Sequence, residues 1–172
     1  MLYICHIISG DLWAGAEAMA YHLLKGLRAY NNLDLCAIVL NNGKLAEELK
    51  EIGIKVQVVD ERKRSFFNIL LAIRKIIRKH PPDIIHSHRY KENILAYLSS
   101  RLIPSVKLFS TQHGMPEIHG GETDLIHRLI SRSNFFMLSH YFNQVVGVSQ
   151  NIQQTFINEY GFKENRGRWG RP

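Results

Sequence analysis

Six short apolar runs alternate with stretches of helical periodicity along nearly the whole chain, and that alternation leaves few architectures open. The first pair sets the pattern. Leu2 to Ile8 is almost continuously apolar, as a parallel strand covered on both faces should be. The run stops at Ser9-Gly10, and after a short loop Ala16, Met19, Ala20, Leu23, Leu24 and Leu27 fall on one face of a helix. Further strands are predicted at Leu35–Leu40, Ile54–Val59, Asp83–His86, Val106–Thr111 and Val145–Val148. Helices are predicted at Lys44–Ile52, closed by Gly53, then from about Ser65 to His80 and over Glu92–Arg101. A long helix or broken pair covers Glu122–Tyr141, and a last helix runs from Ser149, as N-cap, toward Tyr160. In the third helix Phe66, Ile69, Leu70, Ile73, Ile76 and Ile77 take one face. Strands joined by helices imply crossovers, so the predicted fold class is α/β: a doubly wound, mostly parallel, Rossmann-like sheet.

The 172 residues, 45% of them hydrophobic, suit one domain, which we place at 1–163. The remaining 164–172, with Arg166-Gly167-Arg168-Trp169, has no apolar periodicity and reads as a disordered end, a truncation or out-of-register translation. A formal charge of +7 points to an anionic partner: a nucleotide diphosphate, a phosphorylated lipid, a membrane surface or nucleic acid. No signal-peptide pattern and no apolar stretch of membrane-spanning length is present, so a cytoplasmic protein is expected. Cys5 and Cys36 fall inside predicted strands without zinc or redox spacing and read as buried reduced thiols.

Ligands of doubly wound sheets sit at the carboxyl ends of the strands. That selects Gly10–Gly15, Asp60–Arg64, His86–Tyr90, Gln112–Gly121 and Ser149. At the first corner, Gly10 and Gly15 allow close backbone approach, and the free N–H groups of the helix's first turn attract anions; close packing of strand on helix explains the glycines equally well. There is no G-x-G-x-x-G. His86-Ser87-His88 puts two imidazoles on one side of an extended strand. With His113, His119 and Glu117 such a pair can bind zinc, but no carboxylate or cysteine stands at ligand spacing, so a polar cleft is the adopted reading and no metal site is predicted. His113, followed by Gly114 and Pro116, is a strand-end histidine able to donate a hydrogen bond or exchange a proton near neutral pH, or a loop histidine bonded to backbone. Arg62, Lys63, Arg64, Arg74, Lys75, Arg78 and Lys79 form a basic cluster answered locally only by Glu61. It is either a solvated helix face or a contact for anionic lipid headgroups. Nucleic acid is the weaker partner, since no binding motif or aromatic stripe accompanies the charge.

Four segments are then informative together: the first strand with Gly15-Ala16-Glu17, Pro82-Asp83-Ile84-Ile85-His86-Ser87-His88, Ser110-Thr111-Gln112-His113-Gly114, and Val145-Val146-Gly147-Val148-Ser149. Their order and spacing resemble the N-terminal, acceptor-side domain of the retaining GT-B glycosyltransferases (family 4-like, group 1), which include bacterial lipopolysaccharide and capsule enzymes. The resemblance implies the N-terminal half of a GT-B fold. It implies His113 as the catalytic histidine beside the transferred sugar, with Gly15, Glu17, His88, Gly114 and Ser149 lining the cleft for the donor diphosphate or the acceptor. Gly15 would bring backbone N–H groups to the diphosphate and Glu17 would support the loop; Ala14 stands where the family has a first glycine. It further implies a nucleoside diphosphate sugar as donor, no other cofactor, no metal at the reaction centre, retention of configuration, and a cell-envelope glycan or lipid-linked acceptor. A cytoplasmic site at the inner face of the membrane follows from such an acceptor. Full-length members continue into a second, donor-binding domain, so this chain by itself is expected to lack most of the donor site. It would then be an acceptor half served by a separate donor-domain subunit, or a decayed gene product; a non-catalytic Rossmann-like binding module is the alternative.

Overall fold

A computed structural model describes residues 1–10, 13–114, 124–160 and 162. The expectations for Pro116, Glu117, His119 and the tail from 164 to 172 lie outside the described residues. The strands are β1 (Leu2–Ile8), β2 (Leu33–Val39), β3 (Lys55–Val58), β4 (Ile84–Ser87), β5 (Lys107–Gln112) and β6 (Gln144–Gly147). The helices are α1 (Gly15–Leu27), α2 (Lys44–Glu51), α3 (Phe66–Lys79), α4 (Tyr90–Ser100), α5 (Asp124–Tyr141) and α6 (Gln150–Tyr160). All pairings are parallel and the order is β3-β2-β1-β4-β5-β6. This is the predicted Rossmann-like α/β sheet, and its order reverses between β1 and β4.

Strand parity explains why the apolar runs are nearly continuous. Ile4 and Ile8 of β1 pack with Leu35, Ala37 and Val39 against Ala20 and Leu24 of α1 and Leu45 and Leu49 of α2. The alternate residues Cys5, Ile7, Cys36, Ile38, Ile85 and Leu108 face a second core with α3, α4, α5 and α6. Each strand at the centre therefore buries both faces, and burying each Ile or Leu side chain contributes roughly 1.5–3 kcal/mol. Cys5 and Cys36 are the buried free thiols expected of such strands. β2 begins two residues earlier than its apolar run suggests, because Leu33 pairs with Leu2 at the start of β1. Backbone pairing, not hydrophobicity, sets that end.

Two helices expected to be one-sided depart from that pattern. On the face carrying α1 and α2, the packed cluster takes in Ile84 of β4 and Phe109 of β5 and, among the described residues, goes no further toward β6. There Met19, His22 and Leu23 of α1 line a cavity of about 670 Å³ together with His86, Thr111 and the turn from Val146 to Gln150. Met19, predicted as core, is accordingly 40% exposed. In α3, Ile69, Leu70, Ile73 and Ile77 form the buried stripe, while Phe66, also predicted as core, is exposed with Phe67 and Leu71. Ser65 caps this helix by accepting a hydrogen bond from the Asn68 N–H.

The basic cluster is less free than its sequence suggests. Asp60 pairs with Arg62 and lies 3.9 Å from Lys63. Glu61 is taken by Lys91 and by the Asn41 amide. Arg74 is half-buried and donates to the Leu98 carbonyl at 3.0 Å. Arg64, Lys75, Arg78 and Lys79 remain exposed. Among the described residues, no helix is long and apolar enough to cross a membrane.

Candidate active site

The crevice at the reversal between β1 and β4 is filled by imidazoles. His6 and His86 are direct neighbours in the parallel register of β1 and β4. Since side chains alternate along a strand, both point to the face that carries α1. His88 follows one step beyond the end of β4, and His113 one residue beyond the end of β5. The rings form a stack: centroids lie 4.8 Å apart for His6 and His86, 4.5 Å for His86 and His88, and 5.5 Å for His88 and His113. His6 Nδ1 is 3.2 Å from His88 Nε2, and His88 Nδ1 is 3.2 Å from His113 Nε2. His86 Nε2 is 2.9 Å from Thr111 Oγ1.

Burial decides the charge of this group. It pushes the His6 and His88 imidazoles well below their usual range, with neighbouring imidazoles adding to the effect. His86 is pushed down to about 4 by burial and by His113, and His113 to about 4 by burial and by the Arg89 guanidinium. All four are neutral at physiological pH. His86 and His113, the two less buried rings, present hydrogen-bonding groups, not positive charge, to whatever enters.

The α1 corner is tied to the same place. Glu17 is fully buried, accepts a hydrogen bond from the Ala14 N–H at 3.3 Å, and pairs with Arg89 at 3.0 Å. Arg89 follows His88 directly and is the N-cap residue of α4. The pair therefore fastens the start of α1 to the loop that carries His88. A Cβ added at Gly15 or Gly114 would meet nothing within 4 Å among the described residues, so no described neighbour requires either glycine for packing. Gly10 differs: its φ is +82°, and a Cβ there would stand 2.6 Å from Val39 Cγ1. Ser149 caps α6 by accepting from the Ile152 N–H at 3.3 Å, and it shares the cavity wall with His86.

Of the residues singled out in the sequence, His88 and His113 are in direct contact, and Glu17 reaches them through Arg89. His6 and the buried pair of Ser9 with Glu92 were missed, and Arg89, inside the selected segment His86–Tyr90, was given no role. His6 sits mid-strand among isoleucines and looks like core until the β1–β4 register sets it beside His86. The usable signal was its parity with Ile4 and Ile8, since a polar residue on a covered face needs a partner.

Metal ligation was the other option for these histidines. Ligand nitrogens of His6, His86 and His88 lie within 4.8 Å of one another. Two of the three ring pairs are stacked, with interplanar angles of 25° for His6–His88 and 27° for His86–His88, and the third, His6–His86, is tilted at 49°. Lone pairs lie in the ring planes, so stacked rings do not aim them at one point. Both nitrogens of His88 are also engaged by other imidazoles.

The family model described as Glycosyltransferase Family 4 matches residues 13–168. The capsular polysaccharide biosynthesis glycosyltransferase CapH of Staphylococcus aureus is 32% identical over 89 residues, 51% of this chain and 24% of CapH. Among solved structures, HepE of Anabaena in complex with UDP and glucose superposes with a TM-score of 0.75 at 18% identity, covering 98% of this chain and 44% of HepE. A glycosyltransferase from Rickettsia africae ESF-5 gives 0.73 at 20% identity, covering 98% and 42%. At such identities the structural likeness establishes a fold shared with GT-B glycosyltransferases. The chain spans less than half the length of each of these relatives.

Proposed function

Because the chain belongs to glycosyltransferase family 4, we propose that it is the acceptor-side half of an enzyme that transfers a sugar from a nucleoside diphosphate sugar to a cell-envelope glycan or lipid-linked acceptor, with retention of configuration. The observation that carries this reading is the placement of His113, in contact with His88, at the carboxyl end of β5 beside the sheet's reversal point. That is where a doubly wound sheet offers its ligand crevice. Neutral imidazoles suit hydroxyl-rich ligands, since each offers one donor and one acceptor without the cost of desolvating a charge. Gly15 supports the same reading: among the described residues nothing stands within 4 Å of where its side chain would be, which leaves room for a diphosphate to approach the backbone at the start of α1.

The described crevice holds few cationic groups. Arg89 is its nearest, and Glu17 answers it. A departing nucleoside diphosphate needs preorganised positive donors, and closure of two domains to exclude water, so we assign both to a donor-binding domain beyond this chain. The peripheral membrane site belongs to the proposal as well, supported by Arg64, Lys75, Arg78 and Lys79 beside exposed Phe67 and Leu71 on α3.

The test is reconstitution. The 172-residue chain is combined, fused or in trans, with the donor domain of a family relative and assayed for transfer from UDP-sugars. Transfer is expected only in the combination, and His113→Ala there should lower kcat by about 10²-fold or more while leaving the melting temperature within a few degrees. Vigorous transfer by the chain alone would overturn the division of labour. An unaffected His113→Ala enzyme would remove His113 from the site.

A further inference from the structure

His6 is fully buried in the middle of β1 and leaves its Nε2 without a hydrogen-bond partner among the described residues. It nevertheless begins a row. His6 Nδ1 meets His88 Nε2, and His88 Nδ1 meets His113 Nε2, each at 3.2 Å. A neutral imidazole carries one N–H and one lone pair. With a single proton on His88, both contacts must therefore run in the same direction.

Two directions exist. In one, His113 Nε2–H donates to His88, His88 Nε2–H donates to His6 Nδ1, and the proton of His6 is left on its buried Nε2 with no acceptor. In the other, His6 Nδ1–H donates to His88, His88 Nδ1–H donates to His113 Nε2, and the unpartnered His6 Nε2 holds only a lone pair. Orphaned buried N–H groups are rarer in folded proteins than under-satisfied acceptors. The second direction is therefore the stable one. Arg89 beside this row has its charge answered by Glu17.

We propose that His6 and His88 are positioning residues that hold His113 as its Nδ1–H tautomer, so that His113 meets a sugar hydroxyl or ring oxygen as a hydrogen-bond donor. The inference rests on the reading of His113 as a cleft residue and deepens it. The one lone pair of His113 is occupied by the His88 N–H, so His113 orients a sugar and does not deprotonate an acceptor. The row thus assigns a role to a strand histidine far too deep to touch substrate.

Imidazole two-bond 1H–15N correlation spectra of the 15N-labelled chain at neutral pH read the tautomers directly, with single histidine variants for assignment. The Nδ1–H pattern is expected for His6, His88 and His113; an Nε2–H pattern at His88 or His113 overturns the proposal. His6→Asn keeps an amide N–H in the place of Nδ1 and should retain the His113 pattern; His6→Leu takes away the donor to His88 Nε2 and leaves a bare lone pair there, so the tautomers should be kept while the His88 Nε2 15N signal moves to the value of an unbonded nitrogen, and a signal that does not move overturns the His6–His88 contact. If His6→Leu fails to fold, the wild-type and His6→Asn spectra still decide. Added zinc should leave these signals unmoved, and a stoichiometric shift of His6, His86 and His88 together would replace the row with a metal site. None of these readouts needs transfer activity, so the tautomer and the proposed reaction fail separately. In the reconstituted enzyme, His6→Asn should retain the wild-type kcat while His6→Leu lowers kcat with the acceptor KM unchanged.

Discussion

The buried imidazoles should make the fold acid-sensitive in a window that can be computed for one of them. His86 titrates near 6.5 when unfolded and at about 4 in the fold, because burial disfavours its charged form and His113 adds to the effect. Above pH ~7.5 both states are neutral and the group contributes no pH dependence. As pH falls through 6.5 the unfolded chain takes up a proton that the folded chain refuses until about 4, so stability is lost on acidification and stops falling below that point. The difference is worth about 2 kcal/mol at pH ~5 and about 3 kcal/mol below pH ~4, upper values because the ring edge borders the open cavity. His6 and His88 shift in the same direction and steepen the loss. Glu92 opposes it: burial raises its carboxyl, so acidification relieves a penalty there. A single variant separates the terms. His86→Gln keeps a donor near the Nε2 position toward Thr111 and cannot titrate. Urea unfolding followed by far-ultraviolet circular dichroism at pH ~8 and pH ~5 should show a pH-dependent loss smaller in the variant by about 2 kcal/mol. An identical loss in both proteins would refute the claim that His86 is held neutral by burial.

The two glycines of the first corner should separate cleanly. Gly10→Ala places a Cβ at positive φ and 2.6 Å from Val39 Cγ1, and should cost about 2 kcal/mol or more in urea unfolding. Gly15→Ala should leave the melting temperature unchanged or slightly raised, and in the reconstituted enzyme raise the KM for the sugar nucleotide. Glu17→Gln removes the charge that answers Arg89, and a loss of about 1–3 kcal/mol is expected with the far-ultraviolet spectrum preserved. Reversing Lys75, Arg78 and Lys79 to Glu should abolish binding to anionic vesicles, and binding by the wild type should weaken as salt shortens the Debye length from ~10 Å at 0.1 M to ~3 Å at 1 M. Equal binding to neutral vesicles would leave these residues as a solvated face.

The sequence by itself determined the sheet. Strands buried on both faces must be apolar along their length, and crossovers must be helical, so the runs from Leu2 to Ile8 and from Leu35 to Leu40 and the periodic stretches between them fix an α/β fold locally. It also pointed to His88 and His113, because residues just past the ends of strands are exposed to a crevice in any fold of this class. It left undecided whether Gly15 serves packing, since that depends on what occupies the space beside it. The crowding at Gly10 emerges only when the end of β1 is set beside β2 and α2, and the open space at Gly15, among the described residues, only when α1 is placed on the sheet. The apolar spacing of α1 put Met19 in the core, but burial requires a covering layer, and where Met19 points there is an open cavity shared with His86, Thr111 and the turn from Val146 to Gln150. His6 is the sharpest case. Periodicity places a side chain on a face, but its partner on a neighbouring strand is set by register, and β1 joins β4 across about eighty residues of intervening chain. Only tertiary pairing turned two separately readable histidines, His88 and His113, and one that looked like core into a single hydrogen-bonded row.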